Sequence, residues 1–145
     1  MRSEREGKSV SIDEAVSAIP DHGRVFVAQG SGCPYGLLVG IDDRRDTFES
    51  LEFVSAFLLQ RPAPIDHLGQ PFRWLTLQPT GAIRDVLDHS EFGIVPGRYS
   101  DLDGICAPGG PLAADVVVCQ VSPPNQSGDC SLGTGVGGHV SLLAE

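Results

Sequence analysis

Near the start of the chain, apolar residues follow the spacing of an amphipathic helix. The residues that would share its buried face are Ile12, Ala15, Val16 and Ile19. Ser11 precedes them and Glu14 stands three residues later, which is the arrangement of a capping box. Pro20 and Gly23 then break the pattern. The sequence therefore predicts a helix that begins after Ser11, preceded by a flexible tail at residues 1–10.

Farther along, short apolar runs without a polar face alternate with segments of helical spacing. The runs predict strands at residues 24–29, 51–59, 72–77, 92–96 and 113–122, the last being the clearest. One helix is predicted from Pro34 through Ile41, with the charged residues 42–46 at its exposed end, and another at 81–88. Strands that alternate with helices are typical of α/β domains. We expect one domain over residues 11–145, with an open, mostly parallel sheet flanked by helices.

Two loops rich in small residues, at 30–34 and 122–138, follow predicted strands. Ligands of parallel sheets bind at the carboxyl ends of the strands, where such loops lie. In the first loop, successive N–H groups at a helix start could hold an oxyanion, a carboxylate or a phosphate. Its spacing does not fit a dinucleotide-binding fingerprint, because Tyr35 stands where the third glycine belongs. The alternative is that this loop is only a tight turn between strand and helix.

In the second loop, two prolines end the strand and Gly128 permits a reversal of the chain. Residues 130–133 are then expected to return as another short strand. As a purely structural element this would be a rigid hairpin-like loop. The candidate substrate-binding residues of the two loops together are Gly30, Ser31, Gly32, Cys33, Pro34, Ser122, Pro123, Asn125 and Gly128.

Cys33 is also a candidate nucleophile, because a helix dipole lowers the pKa of a thiol placed just before the helix. No general base accompanies it in the sequence, and a small packing residue is the favoured interpretation. The four cysteines form no C-x-x-C pair and the four histidines are widely spaced, so we expect free thiols and no metal site. These patterns therefore identify no catalytic residue.

Charge narrows the classes of partner. Ten Lys and Arg residues against nineteen Asp and Glu residues give a net charge of −9, which disfavours nucleic acids and anionic membrane surfaces as partners. The charged first residues do not resemble a secretory signal, and no apolar run is long enough to span a membrane. We therefore expect a cytoplasmic protein. The chain contains 18 Gly and 11 Pro, an excess that indicates many shaped loops.

One segment is specific enough to indicate a family. Val121-Ser-Pro-Pro-Asn-Gln-Ser-Gly-Asp-Cys-Ser-Leu-Gly133 resembles a motif of the acetyl-CoA hydrolase/transferase family, which includes butyrate, succinate and 4-hydroxybutyrate CoA-transferases. Further similarity lies in the strand at 21–27, the glycine loop at 30–34, the Pro62-Ala-Pro64 turn and the strand at 113–121. The resemblance covers about residues 12–140. It implies the fold of the amino-terminal half of these enzymes.

The resemblance also implies a reaction. Family members use a glutamate carboxylate to attack an acyl-CoA thioester, while the glycine loop stabilises the oxyanion through backbone donors. That glutamate belongs to the carboxyl-terminal half of the family, and none of the seven glutamates here stands in a matching context. We expect an amino-terminal domain, truncated at its carboxyl end, with no bound cofactor and with CoA or acyl-CoA as substrate.

Three interpretations follow. The first is a subunit of a CoA-transferase or acyl-CoA hydrolase, with the glutamate supplied by a second chain that carries the carboxyl-terminal half. The second is a repurposed domain that binds an acyl or carboxylate ligand or a protein partner. The third is a new activity, such as thioester hydrolysis, on the same fold. Self-association could replace the second chain as cover for an exposed apolar surface.

Overall fold

Five parallel strands form one sheet in the computed structural model, which describes residues 7–143. The strands are β1 (His22–Val27), β2 (Ser50–Ser55), β3 (Phe72–Thr76), β4 (Phe92–Ile94) and β5 (Val116–Val118). Their order across the sheet is β4-β3-β2-β1-β5, and all four neighbouring pairs are parallel. The predicted α/β class with a parallel sheet is confirmed. Most of the predicted tail, residues 1–6, lies outside the described residues.

The helices are α1 (Ile12–Ser17), α2 (Tyr35–Asp43), α3 (Leu102–Cys106) and α4 (His139–Leu142). Short 3₁₀ helices cover Gly30–Gly32, Arg45–Thr47, Ala63–His67, Gly81–Val86 and Tyr99–Asp101. The predicted capping box of α1 is confirmed: Ser11 Oγ accepts from the N–H of Glu14, and Ser11 N–H donates to the Glu14 carboxylate. In the part of the chain that the structure describes, no helix is long and apolar enough to cross a membrane.

Alternation along the strands divides the core between the two faces of the sheet. On one face, Val25, Phe53 and Trp74 lie in a buried cluster that includes residues of α1 and α2. The Phe53 and Trp74 rings stack there with centroids 4.9 Å apart. On the other face, Phe26 and Val54 lie in a second cluster that includes residues of α3, with Leu142 of α4 packed against it. Both faces are therefore covered, which explains why the central strands lack a polar face.

Several predicted boundaries were wrong. The strand predicted at 113–122 is paired only over Val116–Val118, because Gln120 N–H donates instead to Gly32 O. The helix predicted at 81–88 is a 3₁₀ helix, Gly81–Val86, interrupted by non-helical backbone at Ile83. The strand expected at 130–133 is irregular chain with a turn.

The charged end predicted for α2 also differs from the structure. Asp42 is buried rather than exposed, and its Oδ1 lies 2.9 Å from Nδ1 of His67. His67 ends the 3₁₀ helix Ala63–His67, which packs against α2. The Asp42 carboxylate can therefore be buried because it has a hydrogen-bonding partner in His67, 25 residues along the chain.

The hydrogen bond from Trp74 Nε1 to Ser55 Oγ, 2.9 Å long and fully buried, provides a test of this core. Ser55→Ala leaves the indole N–H without its acceptor, and we expect a loss of about 1–3 kcal/mol in the free energy of unfolding. Urea denaturation followed by tryptophan fluorescence measures it. Ser50→Ala, at the exposed start of the same strand, is the control and should change stability by less than about 0.5 kcal/mol. Equal effects of both variants would contradict the role of this bond.

Candidate functional site

The glycine loop lies at the carboxyl edge of the sheet, directly after β1, which lies between β2 and β5. Gly30 adopts φ +58°, a conformation that other residues reach only at a cost, and begins the 3₁₀ turn Gly30–Gly32. Its N–H donates to Phe57 O, 2.8 Å away, in the segment that follows β2. α2 begins shortly afterwards at Tyr35, whose hydroxyl accepts from Gln60 N–H at 2.8 Å. The loop is thus fastened to the chain beyond the neighbouring strand.

The second loop, which follows β5, meets the first on its other side. Gln120 N–H donates to Gly32 O at 2.7 Å, and the hydroxyls of Ser31 and Thr134 lie 3.0 Å apart. Gly32 and Gly135 are in backbone contact: a Cβ built on Gly135 would lie 2.8 Å from both Cα and N of Gly32. Only residues without a side chain permit this approach. The two loops therefore form one unit, which we call the glycine junction (residues 30–32 and 134–135).

A cleft of about 280 Å³ borders the junction. Two of the predicted substrate-binding residues, Ser31 and Ser122, lie along it. Its remaining lining residues are Gln120, Val121, Ser131, Leu132, Gly133, Thr134 and Gly135. The hydroxyl of Ser122 is already engaged, because it donates to Pro123 O and accepts from Ser131 N–H. Ser31 and Thr134 are thus the paired hydroxyls that the cleft presents.

Pro123, Asn125 and Gly128, the other residues predicted from the second loop, form its exposed tip and do not border this cleft. Asn125 Oδ1 accepts from the N–H groups of Ser127 and Asp129, at 2.8 and 2.9 Å. Gly128 has φ +83°, as the expected reversal requires. The side chain of Asn125 shapes the loop and has its oxygen occupied.

The expected row of free N–H groups in the glycine loop is not present in this arrangement. Gly30 N–H donates to Phe57 O and Gly32 N–H to Gln29 O. Cys33 N–H closes the 3₁₀ turn by donating to Gly30 O at 3.4 Å. These three donors bond within the fold, as in the tight turn that the sequence offers as the alternative, and anion binding by this loop stays a prediction.

Cys33 also differs from the expected activated thiol. It is 4% exposed within the core, and burial raises its pKa to about 12, although the Tyr35 side chain opposes this shift. The burial agrees with the favoured interpretation of Cys33 as a packing residue. The raised pKa is opposite to the lowering expected from a helix dipole, because desolvation disfavours the thiolate more strongly than its polar neighbours favour it. Pro34, the last residue of the predicted loop, is the N-cap of α2.

A second cleft, of about 610 Å³, lies at the same edge beyond β2 and β3, and no sequence pattern predicts it. Phe57 and Leu59 form its apolar wall and are about half exposed, at 45% and 56%. Gln78, Thr80 and Gly81 are among the residues opposite, and Thr80 Oγ1 donates to Leu58 O at 3.0 Å. Phe57 connects this cleft to the glycine loop through its bond with Gly30. The prediction of a strand through residue 59 hid these residues.

The described glutamates of the sheet lie at its opposite edge. Glu49 and Glu91 immediately precede β2 and β4, and Glu52, near the start of β2, pairs with Arg24 at 2.6 Å. At that edge, Asp21, His22 and Glu49 each bring a possible metal-ligand atom within 4.8 Å of the others. All three are exposed, and His22 Nδ1 lies 2.7 Å from Asp21 Oδ1. None of the glutamates that the structure describes belongs to the glycine junction or lines either of its clefts.

Comparison with known proteins agrees with this architecture. No family model matches the chain. The chain is similar to a CoA-transferase. It is 28% identical over 127 residues to the 4-hydroxybutyrate coenzyme A transferase of Clostridium kluyveri, an alignment that covers 87% of this chain and 29% of the transferase. The crystal structure of RipA from Yersinia pestis has the same fold, with a TM-score of 0.79 and 18% identity over 92% of this chain and 33% of RipA.

Thiol chemistry tests the assignment of Cys33. Its raised pKa and burial predict that iodoacetamide near neutral pH modifies exposed Cys130 at least about a hundredfold faster than Cys33. Peptide mapping by mass spectrometry gives both rates in the same sample. Denaturant should abolish the difference, since it removes the burial. Modification of folded Cys33 at the rate of Cys130 would contradict the structure and restore the nucleophile hypothesis.

The glycine junction can be tested by adding one methyl group. Gly135→Ala places a Cβ against the Gly32 backbone, and we expect a loss of about 1–3 kcal/mol in the free energy of unfolding. Gly36→Ala is the matched control, because a Cβ there meets nothing within 4 Å and a helical alanine is favoured over glycine by about 0.5–1 kcal/mol. Chemical denaturation measures both. A Gly135→Ala protein as stable as the wild type would show that the two loops are not held in contact.

Proposed function

We propose that this chain provides the acyl side of a CoA-transferase or acyl-CoA hydrolase site, with the nucleophilic glutamate supplied by a partner polypeptide. The observation that carries the proposal is the glycine junction, flanked by two clefts at the carboxyl edge of the sheet. The sequence similarity to the Clostridium kluyveri transferase supports this type of chemistry. The chain spans 29% of the length of that enzyme, so the proposed glutamate would correspond to a part of the enzyme that this chain does not cover.

The proposed reaction proceeds by two exchanges. A glutamate carboxylate oxygen attacks the thioester carbonyl, the C–S bond breaks, and CoA leaves as a thiolate with the electron pair. The thiolate then attacks the glutamyl carbonyl of the resulting anhydride and releases the acyl group as a carboxylate. A second carboxylate reverses these steps and takes the CoA. In a hydrolase, water replaces the second carboxylate.

In this scheme the chain binds the acyl group rather than attacking it. Phe57 and Leu59 provide an apolar wall for an acyl chain, beside the Gly30 turn. The hydroxyls of Ser31 and Thr134 are the polar groups assigned to the acyl oxygen, since three of the loop's N–H groups already donate within the fold. Burial keeps Cys33 protonated, so the thiol is not used as a nucleophile.

A binding domain without transferase chemistry is the second candidate function. It is favoured by the position of Glu49, Glu52 and Glu91 at the edge of the sheet away from the clefts. The two functions differ in what must be added for turnover. A transferase subunit gains activity with a polypeptide that contributes a carboxylate, whereas a binding domain retains its ligand unchanged.

Calorimetry with CoA, short-chain acyl-CoAs and short carboxylates tests the proposal on the full chain. We expect binding of acyl-CoA, weakened about fivefold by Leu59→Ser because the variant removes apolar contact with the acyl chain worth about 1 kcal/mol. Val39→Ser is the matched control, since Val39 is similarly exposed, at 48%, but lies on α2. CoA without an acyl group should bind both variants equally.

Two results would oppose the proposal in different ways. Equal weakening by Leu59→Ser and Val39→Ser would remove the assignment of the acyl group to this cleft. Absence of binding by all three ligand classes would overturn the acyl-site function itself. Binding of carboxylates but not of CoA compounds would favour the binding domain.

A further inference from the structure

His139 is a fully buried histidine beside the glycine junction. It begins α4, its exposure is 0%, and neither ring nitrogen has a hydrogen-bond partner within the described residues. Buried polar atoms are almost always paired, so such a ring is an exception that requires an explanation. An imidazole in this position is tolerated when neutral and becomes a buried charge when protonated, with only the Gly135 backbone favouring that form.

The segment that leads into His139 contacts the glycine loop at two points. Gly135 lies against the backbone of Gly32, and Gly137 lies against the side chain of Gln29, the residue that precedes the loop. Gly138 N–H donates to the Tyr99 hydroxyl at 3.2 Å, which fastens the start of α4. A movement of His139 out of its buried position would therefore displace the backbone segment that contacts Gly32.

We propose that His139 is a positioning residue that holds residues 135–138 against the glycine loop only while its ring is neutral. Protonation would release this segment and loosen the loop. The inference rests on the proposed function in one respect, because the loop concerned is the one assigned to the acyl group. The contact itself is a property of the free protein and can be measured without ligand.

None of the ionisable groups on the elements around His139 contributes to the shift of its pKa. α3 and the turn before it carry Asp101, Asp103 and Cys106, and Tyr99 lies at the start of that turn. On the side of the glycine loop the ionisable group is Cys33. Burial lowers the pKa of His139, and the Gly135 backbone, which favours the protonated ring, only partly opposes this shift.

The direction of the pH effect follows from this lowered pKa. Above the ordinary histidine value of 6.5, folded and released forms are both neutral and the segment stays packed. Below 6.5 the released form binds protons more readily than the packed form, so packing is lost progressively as the pH falls through the lowered pKa. We thus expect the Gly32–Gly135 contact of the glycine junction to be maintained at neutral pH and to be lost in acid.

Hydrogen exchange of the free full-length chain tests the proposal at about pH 7.5 and about pH 5.5, with rates corrected for intrinsic chemistry. In the wild type we expect amides of residues 29–35 and 133–139 to exchange about three- to tenfold faster in acid, while those of β2 do not change. His139→Gln, which has no titrating group, should show equal protection at both pH values. His22→Gln, which removes an exposed histidine at the opposite edge, should retain the acid effect.

Three results would overturn the inference. They are equal wild-type exchange at both pH values, an acid effect that persists in His139→Gln, and an acid effect that extends equally to β2. If His139→Gln does not fold, His139→Phe and direct NMR titration of the wild-type ring replace it, and a normal ring pKa overturns the proposal. Acyl-CoA binding near pH 7.5 is unaffected by these outcomes, so the proposed function fails or holds separately.

Discussion

The contact between Gly32 and Gly135 is the constraint on which the carboxyl edge of this sheet depends. Two segments separated by about a hundred residues of chain approach until their backbones touch, which a side chain at Gly135 would prevent. The Gln120–Gly32 hydrogen bond and the Ser31–Thr134 pair lie at the same glycine junction. β5 is short for the same reason, since the chain leaves the sheet after Val118 to reach the loop. The glycine excess in the composition thus has, in part, a specific structural purpose.

Because all strands are parallel, the two edges of the sheet differ, and the glycine junction lies at the edge where the strands end. All five strands end at one edge, so the loops that follow β1, β2, β3 and β5 gather there. Carboxylates that precede or begin strands gather at the other edge; they include Asp21, Glu49, Glu52, Glu91 and Asp115. A chain of net charge −9 thereby keeps these acidic groups away from the clefts.

The sequence could predict the order and type of most elements because local patterns determine them. Central strands such as β2 are apolar on both faces, and Ser11 with Glu14 identifies the start of α1. Lengths and environments depended on distant partners. β5 pairs with β1 over only three residue pairs, and the burial of Asp42 depends on His67. Local propensity contains no information about either partner.

The candidate site was predictable to the same degree. The presence of both loops at one edge follows from parallel strands, but their contact depends on β1 lying between β2 and β5, an order that local sequence patterns do not reveal. The occupied N–H groups of Gly30 and Gly32 follow from the same neighbours, as does the cleft at Phe57 and Leu59. His139 had no local signal, since its significance comes from complete burial beside Gly135.

The chain aligns over 87% and 92% of its own length with proteins of which it covers 29% and 33%. Phe57 and Leu59 present adjoining apolar surface in the cleft beside the junction, and a ligand or another polypeptide that covered it would remove this surface from water. Attack on a thioester also requires the nucleophile to approach the acyl carbon closely while water is kept away. In the proposed function, the partner polypeptide that covers the open clefts also contributes the glutamate carboxylate. Close approach of the nucleophile and exclusion of water are then achieved together.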